Sequence, residues 1–382
     1  MINRVVCAQG ALAELPGILA SIDGRRILLV TGGRSYSSSG AEAALAKYLD
    51  HFEVSQFSDV EENPHLEQLE RGLELYRSVR PDLVIAVGGG SVMDMAKLIK
   101  IFATQTAAPA DYVQKSAKLS ASELPLLAIP TTAGSGSQAT HFAVLYIGKT
   151  KYSVAHPSML PDAALVDPDL LRSVPPSIAA STGLDALNQG IESYWCVHST
   201  EQSKAFAREA IELVWRYLAD AVHRPGAASR LGMAIAAHRA GEAINITKTT
   251  APHAISYPIT SYFGVPHGHA VGLVLGKVLR FNAGVSDEDC LDRRGADYVR
   301  DTLIEIAGFL GERDADASAK AYDTLMESIG LTRDFRSVGI RTREDLETVI
   351  AHGFNPQRVN NNPRRLTESS LRSILIEMQD AS

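Results

Sequence analysis

Between residues 25 and 168 the chain alternates short apolar runs with amphipathic segments, and this alternation constrains the fold more than any other feature of the sequence. Short apolar runs are typical of buried strands, whereas the amphipathic segments have helical spacing. Strands and helices that alternate in this way form a parallel sheet covered by helices. We predict strands at residues 26–31, 52–57, 82–87, 125–130 and 162–166, the last closing a short extended excursion from residue 151, and helices at residues 41–49, 64–79 and 92–102.

The pattern changes after the Pro175-Pro176 pair, beyond which strand signals almost vanish. Because 382 residues are too many for a single hydrophobic core, two domains are expected. We predict an α/β domain over residues 1–176 and an all-helical domain over residues 177–382. The predicted helices of the second domain cover residues 177–194, 201–222, 227–246, 251–263, 269–281 and 298–310, with later pieces to Met378. The polar stretch of residues 355–365 is expected to be a loop with solvated basic residues.

Composition argues against several classes of function. A formal net charge of −7 gives no overall basic character for neutralising phosphates, so nucleic acid is not expected as a general partner. The three cysteines, Cys7, Cys196 and Cys290, lack the paired spacing of a zinc site or a disulfide framework. No run of about 18 apolar residues occurs and the start of the chain has no long apolar region, so we expect no membrane partner and a cytoplasmic location.

A glycine-rich turn, Gly88-Gly89-Gly90-Ser91, joins one predicted strand to the helix that follows it. Glycines allow a phosphate to approach the backbone closely, and the start of a helix presents unpaired N–H groups and a positive dipole end. The motif lacks the final glycine of G-x-G-x-x-G and the G-K-[ST] ending of a P-loop. A pyrophosphate is the ligand that this turn favours, and a purely structural turn is the alternative.

Several other segments would surround a dinucleotide bound at this turn. The next strand runs into a loop of small and hydroxyl residues that could contact a nicotinamide ring. The first strand ends in glycine with Arg34 nearby, where an acidic residue would favour NADH, so NADPH stays possible. The candidate cofactor-binding residues are Gly32, Asn63, Gly88, Gly89, Gly90, Ser91, Asp94, Thr131, Thr132, Ser135, Ser137 and Lys151.

Four polar residues of the helical domain could bind a metal ion. Asp185 and Gln189 are spaced i, i+4 and project from one face of a helix. His253 and His267 follow in similar local settings, each directly after a proline. One carboxylate oxygen, one amide oxygen and two imidazoles could surround a divalent ion and leave a position for a substrate oxygen. Taken singly, each histidine is more often a structural residue than a ligand, and only the group of four favours a metal site.

These segments, in this order, resemble the iron-containing (group III) alcohol dehydrogenase family over nearly the whole chain. The resemblance implies a Rossmann-like NAD(P)-binding domain followed by an all-helical metal-binding domain, the fold shared with dehydroquinate synthase. It places the metal ligands on Asp185, Gln189, His253 and His267, with Fe²⁺ as the expected ion and Zn²⁺ as an alternative. Gln189 stands where the family ordinarily has histidine, and Tyr257 replaces a further histidine.

Residues 185–195 and 243–254 look most like the phosphonoacetaldehyde reductase branch of this family. The resemblance implies NAD(P)H-dependent reduction of a small anionic aldehyde, with a metal that polarises the carbonyl and with His253 and His267 in the catalytic site. Lys248, Thr249 and Thr250 could contact the phosphonate, although Lys248 could also be solvated and the threonines could simply start a helix. The proton would come from Tyr257, His269 or a water chain.

Other functions remain open at this point. Within the same class, the chain could be another metal-dependent alcohol dehydrogenase or a maleylacetate-type reductase. Outside it, the chain could be an NAD-using cyclase like dehydroquinate synthase, or a cofactor-binding protein that has lost its metal through Gln189. A homodimer is the expected assembly.

Overall fold

A computed structural model describes residues 4–114 and 117–380, except for the side chains of residues 357, 379 and 380. It divides into two compact units, of which the first ends at Val174 and the second begins at Pro175. The first contains a parallel sheet with helices, and the described part of the second contains helices only. The predicted fold class, an α/β part followed by an all-helical part, is confirmed.

The sheet of the first unit has six parallel strands in the order β1-β8-β5-β4-β2-β3. β4 and β5 are buried at every residue, which explains why they are continuous apolar runs in the sequence. β1, at the edge of the sheet, is half-exposed, and its four residues carry too weak a pattern to be predicted. The six strands are β1 (Arg4–Cys7), β2 (Arg26–Thr31), β3 (Glu53–Phe57), β4 (Leu83–Gly88), β5 (Leu126–Pro130) and β8 (Ala163–Val166).

An antiparallel hairpin of β6 (Phe142–Ile147) and β7 (Thr150–Ala155) lies between β5 and β8 in the chain. The sequence analysis predicted only an extended excursion from residue 151 and missed β6. Ala143 and Leu145 of β6 are fully buried, whereas Phe142 and Val144 are only partly buried, so the first part of the strand has the alternating pattern of a half-buried pair. The hairpin connects to the nucleotide side of the sheet through contacts described below.

Within residues 4–114 and 117–174, six α-helices accompany the sheet, and each amphipathic one buries its apolar face against the strands or against its helical neighbours. They are α1 (Leu15–Leu19), α2 (Ser35–Ser38), α3 (Ala41–Leu49), α4 (Leu66–Val79), α5 (Gly90–Phe102) and α6 (Pro109–Gln114).

The second unit is built around α7 (Pro176–Trp195), which is buried from Gly183 to its end and packs against α8, α9 and α11. Its polar residues are therefore inside the unit, where each needs a partner. The other helices are α8 (Glu201–His223), α9 (Ala227–Thr247), α10 (Ala251–Phe263), α11 (His267–Ala283), α12 (Ala296–Phe309), α13 (Ala315–Ser328), α14 (Arg343–Gly353), α15 (Pro356–Val359) and α16 (Glu368–Asp380). Over residues 4–114 and 117–380, no helix has the length and apolar content needed to cross a membrane.

Candidate functional site

The glycine turn lies at the carboxyl edge of the parallel sheet, between the ends of neighbouring strands. β4 lies between β2 and β5, so the segments that follow these three strands start side by side. The registers pair Thr31 with Val87 and Gly88 with Pro130, which brings the strand ends level. In open α/β sheets this edge is where ligands bind. The three segments therefore form one candidate nucleotide site within the first unit.

The loop after β5 packs directly onto the glycine turn. The backbone N–H of Thr131 donates to the carbonyl of Gly88 over 2.9 Å. A Cβ atom added to Gly90 would lie 2.7 Å from Ser135 Oγ, too close for an ordinary contact. α5 begins at Gly90, so the unpaired N–H groups and the positive dipole end of this helix lie at the turn. The arrangement suits a phosphate group, as the sequence predicted.

Asp94 lies one turn into α5 and anchors the loop and the hairpin to this helix. One carboxylate oxygen accepts a hydrogen bond from Ser137 Oγ (2.6 Å), and the other accepts from the backbone N–H of Val144 (2.9 Å). Burial raises the pKa of Asp94, against the opposing effect of the nearby Lys97 charge. The described contacts of Asp94 thus hold together the elements that form the nucleotide site.

Lys97, one turn beyond Asp94 on α5, is fully buried. Its Nζ donates to Ser137 Oγ (2.8 Å), Thr140 Oγ1 (2.8 Å) and the carbonyl of Phe142 (2.9 Å). Burial lowers the pKa of Lys97 to about 8, although Asp94 raises it. Lys97 was not among the residues predicted from the sequence to bind the cofactor. The structure shows that the two residues form one buried network.

The remaining predicted cofactor residues lie at or beside the same edge. The Asn63 N–H donates to Ser91 Oγ (3.1 Å), and Asn63 has a φ of 63°, a conformation that asparagine tolerates better than most residues. Thr132 lies against Gly89, since a Cβ added there would be 3.3 Å from its hydroxyl. Lys151, on β7, is half-buried, and its charge lowers the pKa of Asp94. Gly32 begins the segment that follows β2.

A second cluster lies within the helical unit. Asp185 of α7, His253 of α10 and His267, the first residue of α11, each offer one ligand atom, and these atoms lie within 4.8 Å of one another. His253 Nε2 is 3.4 Å from Asp185 Oδ1, and the two imidazole centroids are 5.3 Å apart. Gln189, one turn beyond Asp185, donates its amide hydrogen to Asp185 Oδ2 over 3.1 Å. The four residues predicted to bind a metal are thus on neighbouring helices of one unit.

The donor set of this cluster fits a divalent ion. Ligand atoms about 2.1 Å from a tetrahedral ion lie roughly 3.4 Å from one another, and the oxygen and nitrogen of Asp185 and His253 are already 3.4 Å apart. A carboxylate with two imidazoles suits Fe²⁺ or Zn²⁺. Because its amide nitrogen contacts Asp185, Gln189 would coordinate through its amide oxygen.

Glu192 orients His253 from the side opposite to Asp185. It is fully buried on α7, and its Oε1 forms a short hydrogen bond with His253 Nδ1. Its Oε2 accepts from the backbone N–H (2.7 Å) and the hydroxyl (2.8 Å) of Thr250, which itself accepts from Trp195 Nε1 (2.9 Å). A carboxylate can only accept, so Nδ1 carries the proton in this bond and Nε2 faces Asp185.

The sequence analysis gave Glu192 no role, although its spacing of seven residues from Asp185 places both on one face of α7. The two carboxylates dominate the electrostatics around His253. Burial by itself lowers the pKa of His253, but Glu192 and Asp185 outweigh burial and raise this pKa to about 10. Asp185 and Glu192 together carry more negative charge than a protonated His253 balances. This surplus favours a bound cation.

Close packing of α11 on α7 sets the position of His267. A Cβ atom added to Gly268 would overlap the backbone carbonyl of Ser181 and lie 2.9 Å from Asp185 Cβ. Only glycine allows this approach of the two helices. The start of α11, and with it His267, is thereby held beside Asp185.

The two predicted proton donors have different surroundings. Tyr257 lies one turn beyond His253 on α10; its ring centroid is 6.4 Å from that of His267, and its hydroxyl accepts a hydrogen bond from Arg358 Nε (3.2 Å). His269 is buried, and its Nε2 bonds to the carbonyl of Thr332 over 2.7 Å. Burial lowers the pKa of His269, which disfavours its protonated form. Of the two, the structure brings Tyr257 to the cluster.

The three residues predicted to contact a phosphonate occupy three different environments. Lys248 is exposed, with a φ of 65° and a ψ of −179°, a conformation rarely adopted by residues other than glycine. Thr249 is buried, and its carbonyl accepts from Asn361 Nδ2 over 2.9 Å. Thr250 is fully buried and bonded to Glu192, as described above. Thr250 thus helps to fix Glu192, which in turn orients the His253 ring.

Comparison with known proteins identifies one family over most of the chain. Residues 3–168 match the iron-containing alcohol dehydrogenase family, and residues 179–378 match the C-terminal part of the Fe-containing alcohol dehydrogenase family. A phosphonoacetaldehyde reductase of Streptomyces viridochromogenes is 37% identical over 314 residues, which cover 80% of this chain and 78% of that protein. Long-chain-alcohol dehydrogenase 1 of Geobacillus thermodenitrificans is 31% identical over 371 residues, 96% of this chain and 92% of that protein.

Among solved structures, sulfoacetaldehyde reductase from Bifidobacterium kashiwanohense, in complex with NAD⁺, has a TM-score of 0.88 and 31% identity, covering 100% of this chain and 98% of the other. The resemblance inferred from the sequence motifs is confirmed. The chain belongs to the iron-containing alcohol dehydrogenase family.

Proposed function

We propose that this protein reduces phosphonoacetaldehyde to 2-hydroxyethylphosphonate with NADH or NADPH, and that Asp185, Gln189, His253 and His267 hold a divalent metal. The observation that carries the proposal is the 37% identity with a phosphonoacetaldehyde reductase over 80% of the chain. Similarity to a sulfoacetaldehyde reductase over the whole chain supports the same chemical class, a two-carbon aldehyde with an anionic group.

Bound metal supplies a Lewis acid for the aldehyde carbonyl, and bound nicotinamide supplies the hydride. The residues of the chain provide position and electrostatics. Glu192 holds the His253 ring with Nε2 toward Asp185, and the glycine at 268 fixes His267 beside them. In the first unit, Asp94 and Lys97 hold the loop that packs on the glycine turn.

Reduction of an aldehyde also requires a proton for the product oxygen, and we assign Tyr257 as its donor. The Tyr257 ring lies beside His267, and the Arg358 guanidinium at its hydroxyl stabilises the phenolate that proton donation leaves. His269 suits this role less well, because its Nε2 is bonded to the Thr332 carbonyl and burial disfavours its protonated form. Tyr257→Phe should lower kcat for every aldehyde and leave metal affinity unchanged.

A substrate panel tests the proposal. Purified protein is stripped with a chelator, reloaded with Fe²⁺ or Zn²⁺, and assayed with NADH and NADPH on phosphonoacetaldehyde, sulfoacetaldehyde and propanal. We expect kcat/KM for phosphonoacetaldehyde to exceed that for propanal by about 100-fold or more. Equal values for the two aldehydes would contradict the assignment of substrate. Turnover without net consumption of reduced cofactor would favour the cyclase, and absence of both metal and turnover would favour a cofactor-binding protein.

Sulfoacetaldehyde is a second candidate substrate, favoured by the similarity of the whole chain to a sulfoacetaldehyde reductase. The two anions differ in charge, since a phosphonate approaches two negative charges near neutral pH and a sulfonate carries one. Each positive charge in the substrate site therefore attracts the phosphonate more strongly than the sulfonate. The ratio of kcat/KM values for phosphonoacetaldehyde and sulfoacetaldehyde decides between these two substrates.

Light scattering on the same sample tests the homodimer that we expect.

A further inference from the structure

The polar stretch of residues 355–365, expected from the sequence to be a solvated loop, contains one arginine that is not solvated. Arg365 is exposed, and Arg364 forms an ion pair with Asp289 over 2.7 Å. Arg358, by contrast, is buried, with 7% of its surface exposed. Burial of a guanidinium removes it from water at a cost in free energy that its contacts must offset, so those contacts decide what Arg358 can do.

Arg358 lies close to the proposed metal ligands, with Tyr257 between them. It lies in the short helix α15, which packs against α10, and its Nε donates to the Tyr257 hydroxyl over 3.2 Å. Tyr257 is on the same face of α10 as His253, one turn away, and lies beside His267. A single side chain thus separates the guanidinium from two of the metal ligands.

The segment that carries Arg358 is fixed to the start of α10. Asn361 Nδ2 donates to the carbonyl of Thr249 (2.9 Å), and the Asn361 carbonyl accepts from the N–H of Val197 (3.1 Å). Asn362, fully buried, donates to Asn282 over 2.7 Å. A cation held by such a framework is preorganised, which reduces the cost of binding a ligand.

The charges around the cluster favour an anionic substrate. Asp185 and Glu192 contribute two negative charges, which a divalent ion balances, and Arg358 then adds one positive charge on the Tyr257 side. Beside Nε, a guanidinium has two terminal nitrogens whose N–H groups form the fork that tetrahedral oxyanions bind. An uncharged aldehyde would gain nothing from this group.

We infer that Arg358 binds the anionic group of the substrate, a phosphonate or a sulfonate, while the aldehyde faces the metal ligands. This inference rests on the proposed function, because it assigns the residue that recognises the substrate class. Exposed Lys248 contributes long-range attraction, whereas buried Arg358 makes the direct contact.

The test compares phosphonoacetaldehyde with 3,3-dimethylbutanal, which replaces the phosphonate by an uncharged group of similar shape. The readout is the ratio of kcat/KM for the anionic aldehyde to kcat/KM for the neutral one, so that a general loss through Tyr257 cancels. Arg358→Gln should lower this ratio by roughly 30-fold or more, the effect of removing hydrogen bonds to a charged group. Arg358→Lys, which keeps the charge but not the fork, should lower it less. Arg365→Gln, an exposed arginine of the same segment, should leave it unchanged.

The possible outcomes distinguish a failure of the proposed function from a failure of the inference about Arg358. If the wild-type enzyme does not prefer phosphonoacetaldehyde to its neutral analogue, the proposed function fails. If the wild-type enzyme has the preference and both Arg358 variants keep it, the inference about Arg358 is overturned and the proposed function stands. Equal loss on both substrates overturns it as well, because it shows that Arg358 only supports Tyr257. Should Arg358→Gln fail to fold, the Lys variant gives the same comparison, with inhibition by methylphosphonate as a direct measure of anion binding.

Discussion

Each unit of the molecule buries a basic side chain, and the two are in opposite situations. Lys97 of the first unit contacts three neutral oxygens, and burial lowers its pKa to about 8. His253 of the second unit lies between Asp185 and Glu192, and these carboxylates outweigh burial and raise its pKa to about 10. Lys97 has a single carboxylate, Asp94, near it, whereas His253 has two.

The difference separates a structural network from a cation site. Around Lys97 the negative charge of Asp94 faces Lys97, with Lys151 also acting on Asp94, so there is no surplus of negative charge and the network holds a loop in place without a ligand. Around His253 two carboxylates face one imidazole, and the surplus negative charge is balanced when a divalent ion binds. A surplus of buried negative charge therefore distinguishes the proposed metal site from the Lys97 network.

The largest effect is expected from Gly268→Ala in the helical unit. The added methyl group would overlap the Ser181 carbonyl and force the start of α11, with His267, away from Asp185. A displacement of about 1 Å costs on the order of 100-fold in rate, so kcat/KM and metal content should both fall. NADH affinity, measured by fluorescence titration, should stay unchanged.

Gly276→Ala is the matched control on the same helix, because its added methyl group would meet its nearest atoms at ordinary distances of 3.5 Å or more. If Gly268→Ala kept metal and turnover at the level of this control, the packing of α11 on α7 would not determine the position of His267.

Glu192→Gln tests the surplus charge itself. The amide has nearly the shape of the carboxylate but removes one of the two negative charges and no longer favours the proton on His253 Nδ1. Metal affinity, measured by competition with a chelator, should fall roughly 10- to 100-fold. Ser193→Ala is the control, since Ser193 is a buried neighbour bonded to Thr247 and not to His253. Equal losses in the two variants would mean that Glu192 acts only through general stability.

Gly90→Ala should have a smaller effect, confined to the nucleotide unit. Its added methyl group would lie 2.7 Å from Ser135 Oγ, and the serine side chain can move aside in part. Overpacking of this kind costs about 1–3 kcal/mol, so the Kd for NADH should rise about tenfold while metal affinity stays constant. Gly308→Ala, which introduces no contact within 4 Å, is the control. A change in metal affinity rather than in NADH affinity would show that Gly90 is not part of the nucleotide site.

The nucleotide side was the easier part to predict from sequence. Gly88 to Ser91 follow one another directly after a strong strand pattern, and parallel strands bring their ends together by geometry. The hairpin was missed in part because β6 has a half-buried pattern. The link from Lys97 to Thr140 and Phe142 could not be predicted, because it depends on where that hairpin lies.

In the helical unit, sequence reasoning found candidate ligands but not what surrounds them. Asp185 and Gln189 could be grouped by helical spacing, whereas His253 and His267 were tied to them mainly by resemblance to the family. Glu192 could have been added to this group, because it lies seven residues after Asp185 and therefore on the same face of the helix. Arg358 had none, since a basic residue in a polar stretch is usually solvated and only the fold shows that it is buried.

The smallest expected effect is a pH dependence of stability due to Lys97. Its pKa is about 8 in the folded protein against 10.5 for the free side chain. Between these values the unfolded chain binds more protons than the folded one, so the unfolding free energy rises with pH. From pH 7 to pH 9 this contribution amounts to about 1.4 kcal/mol. Lys97→Met should lack it, which urea unfolding at a series of pH values measures.

His253 should give the opposite slope, since its raised pKa makes the folded state bind the extra proton over the same pH range. Unfolding is therefore compared on metal-saturated protein, in which His253, as a proposed ligand, would not titrate. The difference in slope between the wild type and Lys97→Met then reports on Lys97 together with Asp94, whose pKa the Lys97 charge lowers. If the two slopes coincide, Lys97 keeps an ordinary pKa in the folded state, and the contrast between a balanced network and a site with surplus charge disappears.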